Sequence, residues 1–147
     1  IAALIGLPHR GYLDAPGKAG GLPVLLITGT HDKTVPPGAW ESTGYTTTSD
    51  GNVYYYTGAS AIVRSWGTAN ACPYAGKPAA SFRTGVARAD CRTYCGSGGQ
   101  GWSGRAPGVG WPNTLDCRSA MGHDYDFDWS WKLILDFFDA HSRPVSQ

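Results

Sequence analysis

The hydrophobic positions of this chain change rhythm along its length, and each rhythm predicts a different element. Val24-Leu25-Leu26-Ile27-Thr28 is an unbroken run of leucine and β-branched residues with Gly29 just beyond it. Such runs suit strands covered on both faces, as in a parallel sheet, whose carboxyl ends are where α/β folds place their chemistry. Thr30 to Pro37 reads as a loop, because Pro36 and Pro37 forbid helix continuation. The polar stretch Tyr45 to Asn52 holds the turn pair Asp50-Gly51 and leads into Val53-Tyr54-Tyr55-Tyr56, a short strand. Ala59, Ile62, Val63 and Trp66 then fall at one-face helical spacing, which predicts a helix over Ala59 to Ala69 with Thr57 or Ser60 as its cap. Asn70 to Asn113 keeps no period and is dense in Gly, Pro and Ser. Leu115 to Ala120 is strand-like. Trp129 to Ala140 is helical, with Lys132, Asp136, Asp139 and Arg143 on a polar stripe and Trp131, Ile134, Leu135 and Phe138 on the apolar one. Asp126 or Asp128 stands where an anionic amino-terminal cap is favoured.

The buried-type strand and the helices after it point to an α/β protein. The 147 residues carry a net charge of +1 with scattered Lys and Arg, so no electrostatic footprint for nucleic acid is present. No apolar run reaches the ~20 residues of a membrane span. Cys72, Cys91, Cys95 and Cys117 lie in the aperiodic middle and lack the paired spacing of a zinc site. More than forty structureless residues need a staple, and two disulfides supply one. Of three connectivities, Cys72–Cys95 with Cys91–Cys117 is favoured, since a Cys91–Cys95 bridge demands a tight turn. Buried free thiols are the alternative. Disulfides place the chain outside the reducing cytosol.

The candidate chemistry sits at two strand ends. Asp32 follows the first strand, and Met121-Gly122-His123-Asp124 follows the later one, so an acid precedes a base in the Ser…Asp…His order of α/β hydrolases. Gly29 and Gly122 would let the backbone turn sharply before each residue. A serine hydroxyl needs an imidazole to accept its proton, and the imidazole needs a carboxylate on its other nitrogen. Taken singly, Asp32 could be a turn or cap carboxylate and His123 a satisfied loop histidine. No Gly-x-Ser-x-Gly occurs in the chain. Ser60 and Ser103 imitate it poorly, lacking the second glycine and falling between the acid and the base.

Several pieces together carry a family resemblance. They are Pro23 to Asp32 with Val35-Pro36, the helix ending Trp66-Gly67-Thr68-Ala69-Asn70-Ala71-Cys72, the pair Tyr94-Cys95, and Cys117 shortly before Met121-Gly122-His123. As an ordered set they resemble the secreted polyhydroxybutyrate depolymerase and feruloyl esterase group of α/β hydrolases, over residues 22 to 142. Thr28-Gly29 stands where that group usually has His-Gly, and the glycine-rich stretch from Gly96 to Gly110 is unusual for it. The resemblance implies that residues 1–147 form the carboxyl-terminal part of a single α/β-hydrolase domain, the carboxyl-terminal half of its doubly wound, mostly parallel sheet, with Asp32 and His123 as the acid and base. The nucleophile would belong to an amino-terminal half held as a separate chain, and this chain would need that half for stability.

The expected function is therefore a secreted serine carboxylester hydrolase acting on a polyester or on a phenolic or carbohydrate ester. It would need no cofactor and no metal, and would engage neither nucleic acid nor membrane. The alternative is a non-catalytic binding protein on the same fold: lectin-like, toxin or structural. Asp124, Asp126 and Asp128 alternate like a calcium loop, but Trp129 and Leu135 occupy the positions that need Gly and Glu. His9, His31 and His141 share no metal spacing. Trp40, Trp102 and Trp111 are suited either to stacking on ligand rings or to anchoring loops.

Overall fold

A computed structural model describes residues 22–72, 80–95, 111–124 and 127–141. His9, the stretch 96–110 with Trp102 and Ser103, Asp126 and Arg143 lie outside the described residues. Six strands and two helices occur among them: β1 Val24–Gly29, β2 Gly44–Ser49, β3 Asn52–Thr57, α1 Ala59–Ala69, β4 Ala80–Phe82, β5 Asp90–Thr93, β6 Thr114–Ser119 and α2 Phe127–Ala140. Four strands make one sheet in the order β1-β6-β5-β4, and β2 and β3 form a separate hairpin.

The architecture is α/β. The apolar run at Val24 does form a strand, and it pairs in parallel with β6, Val24 opposite Thr114 through Gly29 opposite Ser119. The expectation of a mostly parallel sheet is corrected. Here β6 pairs antiparallel with β5, and β5 antiparallel with β4, so the described sheet is mixed. The two extra strands come from the segment that showed no hydrophobic period. They are short, and Cys91 lies directly opposite Cys117 with a disulfide joining them. A second disulfide joins Cys72, just past α1, to Cys95, just past β5. Both pairings are the favoured ones.

Every residue of β6 is buried, and its side chains alternate between two faces. Leu115 and Cys117 meet Trp129, Leu133 and Phe137 of α2 in the apolar core, with Leu25, Ile27 and Trp111 packed around them. Thr114, Asp116 and Arg118 occupy the other face, where Ser60 of α1 bonds to both charged residues. A helix therefore covers each face of the sheet. The inward stripe of α2 is not the one expected: Trp129, Leu133 and Phe137 are buried, whereas Trp131, Leu135 and Phe138 are more than half exposed. The helix is apolar on most of its circumference, and contact with Leu115 and Cys117 selects the buried side.

Helix α1 has the expected bounds but not the expected cap. Gly58 stands at the cap position without a side-chain hydrogen bond, and the Ala59 N–H is satisfied by the Pro37 carbonyl at 2.9 Å. Ser60 is turned inward instead. The polar stretch before Asp50-Gly51 is a strand, not only a lead into a turn. Asp50 and Gly51 have φ of 51° and 77°, the pair of positive values that a tight hairpin turn requires.

Candidate active site

The ends of β1 and β6 run on side by side beyond their last paired residues. The Thr30 N–H donates to the Ser119 carbonyl at 2.8 Å, and the His31 N–H to the Met121 carbonyl at 3.0 Å. This close approach depends on Gly29. The Met121 and Gly122 carbonyls sit where its Cβ would be, so any larger residue would push the two exits apart. Gly122 itself has open space around its Cα and no left-handed backbone, which corrects the expectation that it serves as a sharp turn. The glycine requirement lies on one side of the junction only.

Three residues beyond Gly29 and four beyond Ser119, the chain delivers Asp32 and His123. Their side chains meet, with Asp32 Oδ2 and His123 Nδ1 2.8 Å apart. The other carboxylate oxygen is occupied. Oδ1 accepts the backbone N–H groups of Thr34 at 2.7 Å and Val35 at 2.8 Å, so the local turn fixes the carboxylate and aims Oδ2 at the imidazole. Burial works to raise the Asp32 pKa, but hydrogen bonds from His123, Val35 and Thr34, with the imidazole's charge, outweigh it and hold the carboxyl below its ordinary value.

An ionised carboxylate can only accept hydrogen bonds. The proton between the two groups is therefore on Nδ1, and in the neutral ring Nε2 carries the lone pair. The Asp32 side chain is 11% exposed and that of His123 is 61% exposed. The carboxylate is sheltered while the imidazole reaches solvent. A group so held can take a proton from a hydroxyl brought to Nε2 and later return it.

A buried ionic cluster on β6 escaped the sequence reading. Arg118 Nη2 bonds to Asp116 Oδ2 and Ser60 Oγ, each at 2.9 Å, and Arg118 Nη1 donates to the Gly38 carbonyl at 2.7 Å. Trp40 lies against the Arg118 guanidinium, 3.7 Å from its ring centroid, and against that of Arg92, 4.0 Å away. Glu41, with a left-handed φ of 65°, is held by Arg64 and the Tyr94 hydroxyl. The cluster thus ties the strand that leads to His123 to the loop that follows Asp32. Opposite charges two residues apart within a buried strand were the available signal.

The other candidates fall elsewhere. Trp40 is engaged by the two arginines, and Trp111 packs on Phe82 and Phe137, so both act as anchors. His31 is exposed and contributes its backbone. His141 lies against Phe137, its Nδ1 2.8 Å from the Phe137 carbonyl, and burial pushes its pKa down against that hydrogen bond. Among the described residues no group of three or more acidic, His or Cys side chains is placed to hold a metal, and no helix is long and apolar enough to cross a membrane. No family model, curated protein or solved structure matches this chain.

Proposed function

We propose that this chain carries the acid and base of a secreted serine carboxylester hydrolase of the polyhydroxybutyrate depolymerase and feruloyl esterase kind. The observation that carries the reading is the Asp32–His123 hydrogen bond, formed where two adjacent parallel strands end. Asp32 fixes the ring and its tautomer, and stabilises the imidazolium once His123 has taken a proton. The nucleophilic serine would lie outside these 147 residues, in the amino-terminal half of the hydrolase fold. Two features support that placement: no Gly-x-Ser-x-Gly occurs among these residues, and among the described residues no strand pairs with the outer edge of β1. The two disulfides favour an oxidising, extracellular setting.

The test uses the intact protein, with para-nitrophenyl acetate turnover before and after a serine-directed phosphonate. The phosphonate should stop turnover by labelling the preceding half, and His123→Ala should abolish it. Asp32→Asn should lower kcat by about ten-thousandfold. Turnover that survives His123→Ala contradicts the proposal. Absence of both turnover and labelling, with ligand binding retained, favours the non-catalytic binding protein.

A further inference from the structure

The loop between Asp32 and β2 has no regular structure of its own, and its backbone is met from outside at successive residues. The Pro36 carbonyl accepts the Tyr45 hydroxyl of β2. The Pro37 carbonyl accepts the Ala59 N–H of α1 at 2.9 Å, and the Gly38 carbonyl accepts Arg118 Nη1 of β6 at 2.7 Å. Trp40 follows, its indole the common partner of two guanidiniums, whose carbons lie 3.7 Å (Arg118) and 4.0 Å (Arg92) from the ring centroid. Glu41 closes the series. Its N–H donates to Ser60 Oγ at 3.2 Å, and its carboxylate takes Arg64 and the Tyr94 hydroxyl. Gly38 and Glu41 both have left-handed backbones, with φ of 75° and 65°. Glycine adopts that conformation freely, whereas a glutamate persists in it only where its surroundings over-determine it.

We propose that Trp40 is a positioning residue for Asp32: held by Arg92 and Arg118, it fixes the loop whose first N–H groups keep the carboxylate aimed at His123. The link runs through the proline pair. Pro36 and Pro37 set two successive φ angles, so the segment between Val35 and Gly38 has little freedom to absorb a shift at Trp40. Thr34 and Val35, at its near end, supply the N–H groups that hold Asp32 Oδ1. The hold on Trp40 is electrostatic as well as steric. An aromatic face attracts a cation, more strongly where water is excluded, and the Arg118 side chain is 4% exposed against 29% for Arg92. The ring thus offsets the repulsion between two like charges, which an aliphatic side chain would leave facing each other.

The proposal deepens the esterase reading, and rests on it for the kinetic effect alone. Nitrogen NMR of the His123 ring tests it without turnover. In intact protein carrying Trp40→Leu, at a pH where the imidazole is neutral, the single Nδ1-protonated form should give way to mixed tautomers. Trp40→Phe, which keeps a ring face for the cations, should restore it, with urea denaturation reporting the fold of each variant. Toward para-nitrophenyl acetate, kcat should fall by roughly a hundredfold in Trp40→Leu with KM little changed. Arg92→Met removes only the more exposed guanidinium and should show the tautomer change in smaller measure, which keeps the test open where Trp40→Leu does not fold. A His123 ring that stays Nδ1-protonated in folded Trp40→Leu, or in Arg92→Met where Trp40→Leu is unfolded, overturns the proposal. So does equal loss in Trp40→Phe and Trp40→Leu. A tautomer change in Trp40→Leu, alongside wild-type protein that neither turns over the ester nor takes the phosphonate, supports the positioning role and overturns the esterase assignment.

Discussion

Two carboxylates on neighbouring strands face opposite fates. Asp116 is fully buried on β6 beside Arg118, the pair being 0% and 4% exposed, and burial pushes its pKa up against the pull of the guanidinium. Asp32, just past β1, is sheltered but has a partner that reaches solvent, and its pKa is held down. The closed pair has nowhere to pass a proton and acts as a structural clamp. The open pair has an imidazole with one nitrogen fixed and the other available. Burial of the partner, more than the presence of an acid, separates a clamp from a site of proton transfer.

Removing half of the clamp should have the largest effect. Arg118→Met leaves Asp116 buried without its partner and should cost about 3–5 kcal/mol in urea denaturation, and adding Asp116→Leu should recover much of the loss. A near-neutral single variant would show that the cluster is not the closed pair described. Next comes the staple on the apolar face of β6. The Cys91–Cys117 bridge spans 26 residues, and replacing both cysteines with alanine should lower stability by about 3–4 kcal/mol in the chain-entropy description. Calorimetric melting of the double variant checks this, and an unchanged melting temperature would contradict it.

Gly29→Ala acts at the junction of the open pair. Overpacking against the Met121 and Gly122 carbonyls should cost about 1–3 kcal/mol and, by parting the strand exits, should reduce the proposed esterase turnover further than the lost stability alone explains. Turnover that tracks the folded fraction would locate the requirement elsewhere. The smallest effect is that of Asp32→Asn, about 1 kcal/mol near neutral pH. Because the folded pKa of Asp32 is depressed, its stabilising contribution is complete above the ordinary carboxylate value and is lost as pH falls through the lower folded one. Acid unfolding curves of wild type and Asp32→Asn should therefore converge at low pH, and a constant offset between them would contradict the assignment.

What the sequence disclosed followed burial closely. Strand β1, strand β6 and helix α1 bury patterned side chains, and their places were legible within a residue or so. The β2 strand was not, because after Tyr45 it runs through three threonines and a serine, a polar stretch in a hairpin outside the main sheet, where no apolar period is needed. Strands β4 and β5 are only three and four residues long, too short to show a period, and β5 is joined to β6 by the Cys91–Cys117 bridge. In α2 two apolar stripes competed, and only the neighbour across the core distinguishes Leu133 and Phe137 from Leu135 and Phe138. At the site, residue type and order pointed to Asp32 and His123. The roles of Gly29 and Arg118 depend on contacts between segments far apart in the chain, which no local pattern encodes.

The account turns on Asp32 holding His123 in one tautomer. Nitrogen NMR of the His123 ring at a pH where the imidazole is neutral reads this directly. The expected result is a protonated Nδ1 and a bare Nε2 in the wild-type protein, giving way to mixed tautomers in Asp32→Asn. A wild-type ring protonated on Nε2, or one whose signals ignore Asp32→Asn, would contradict it.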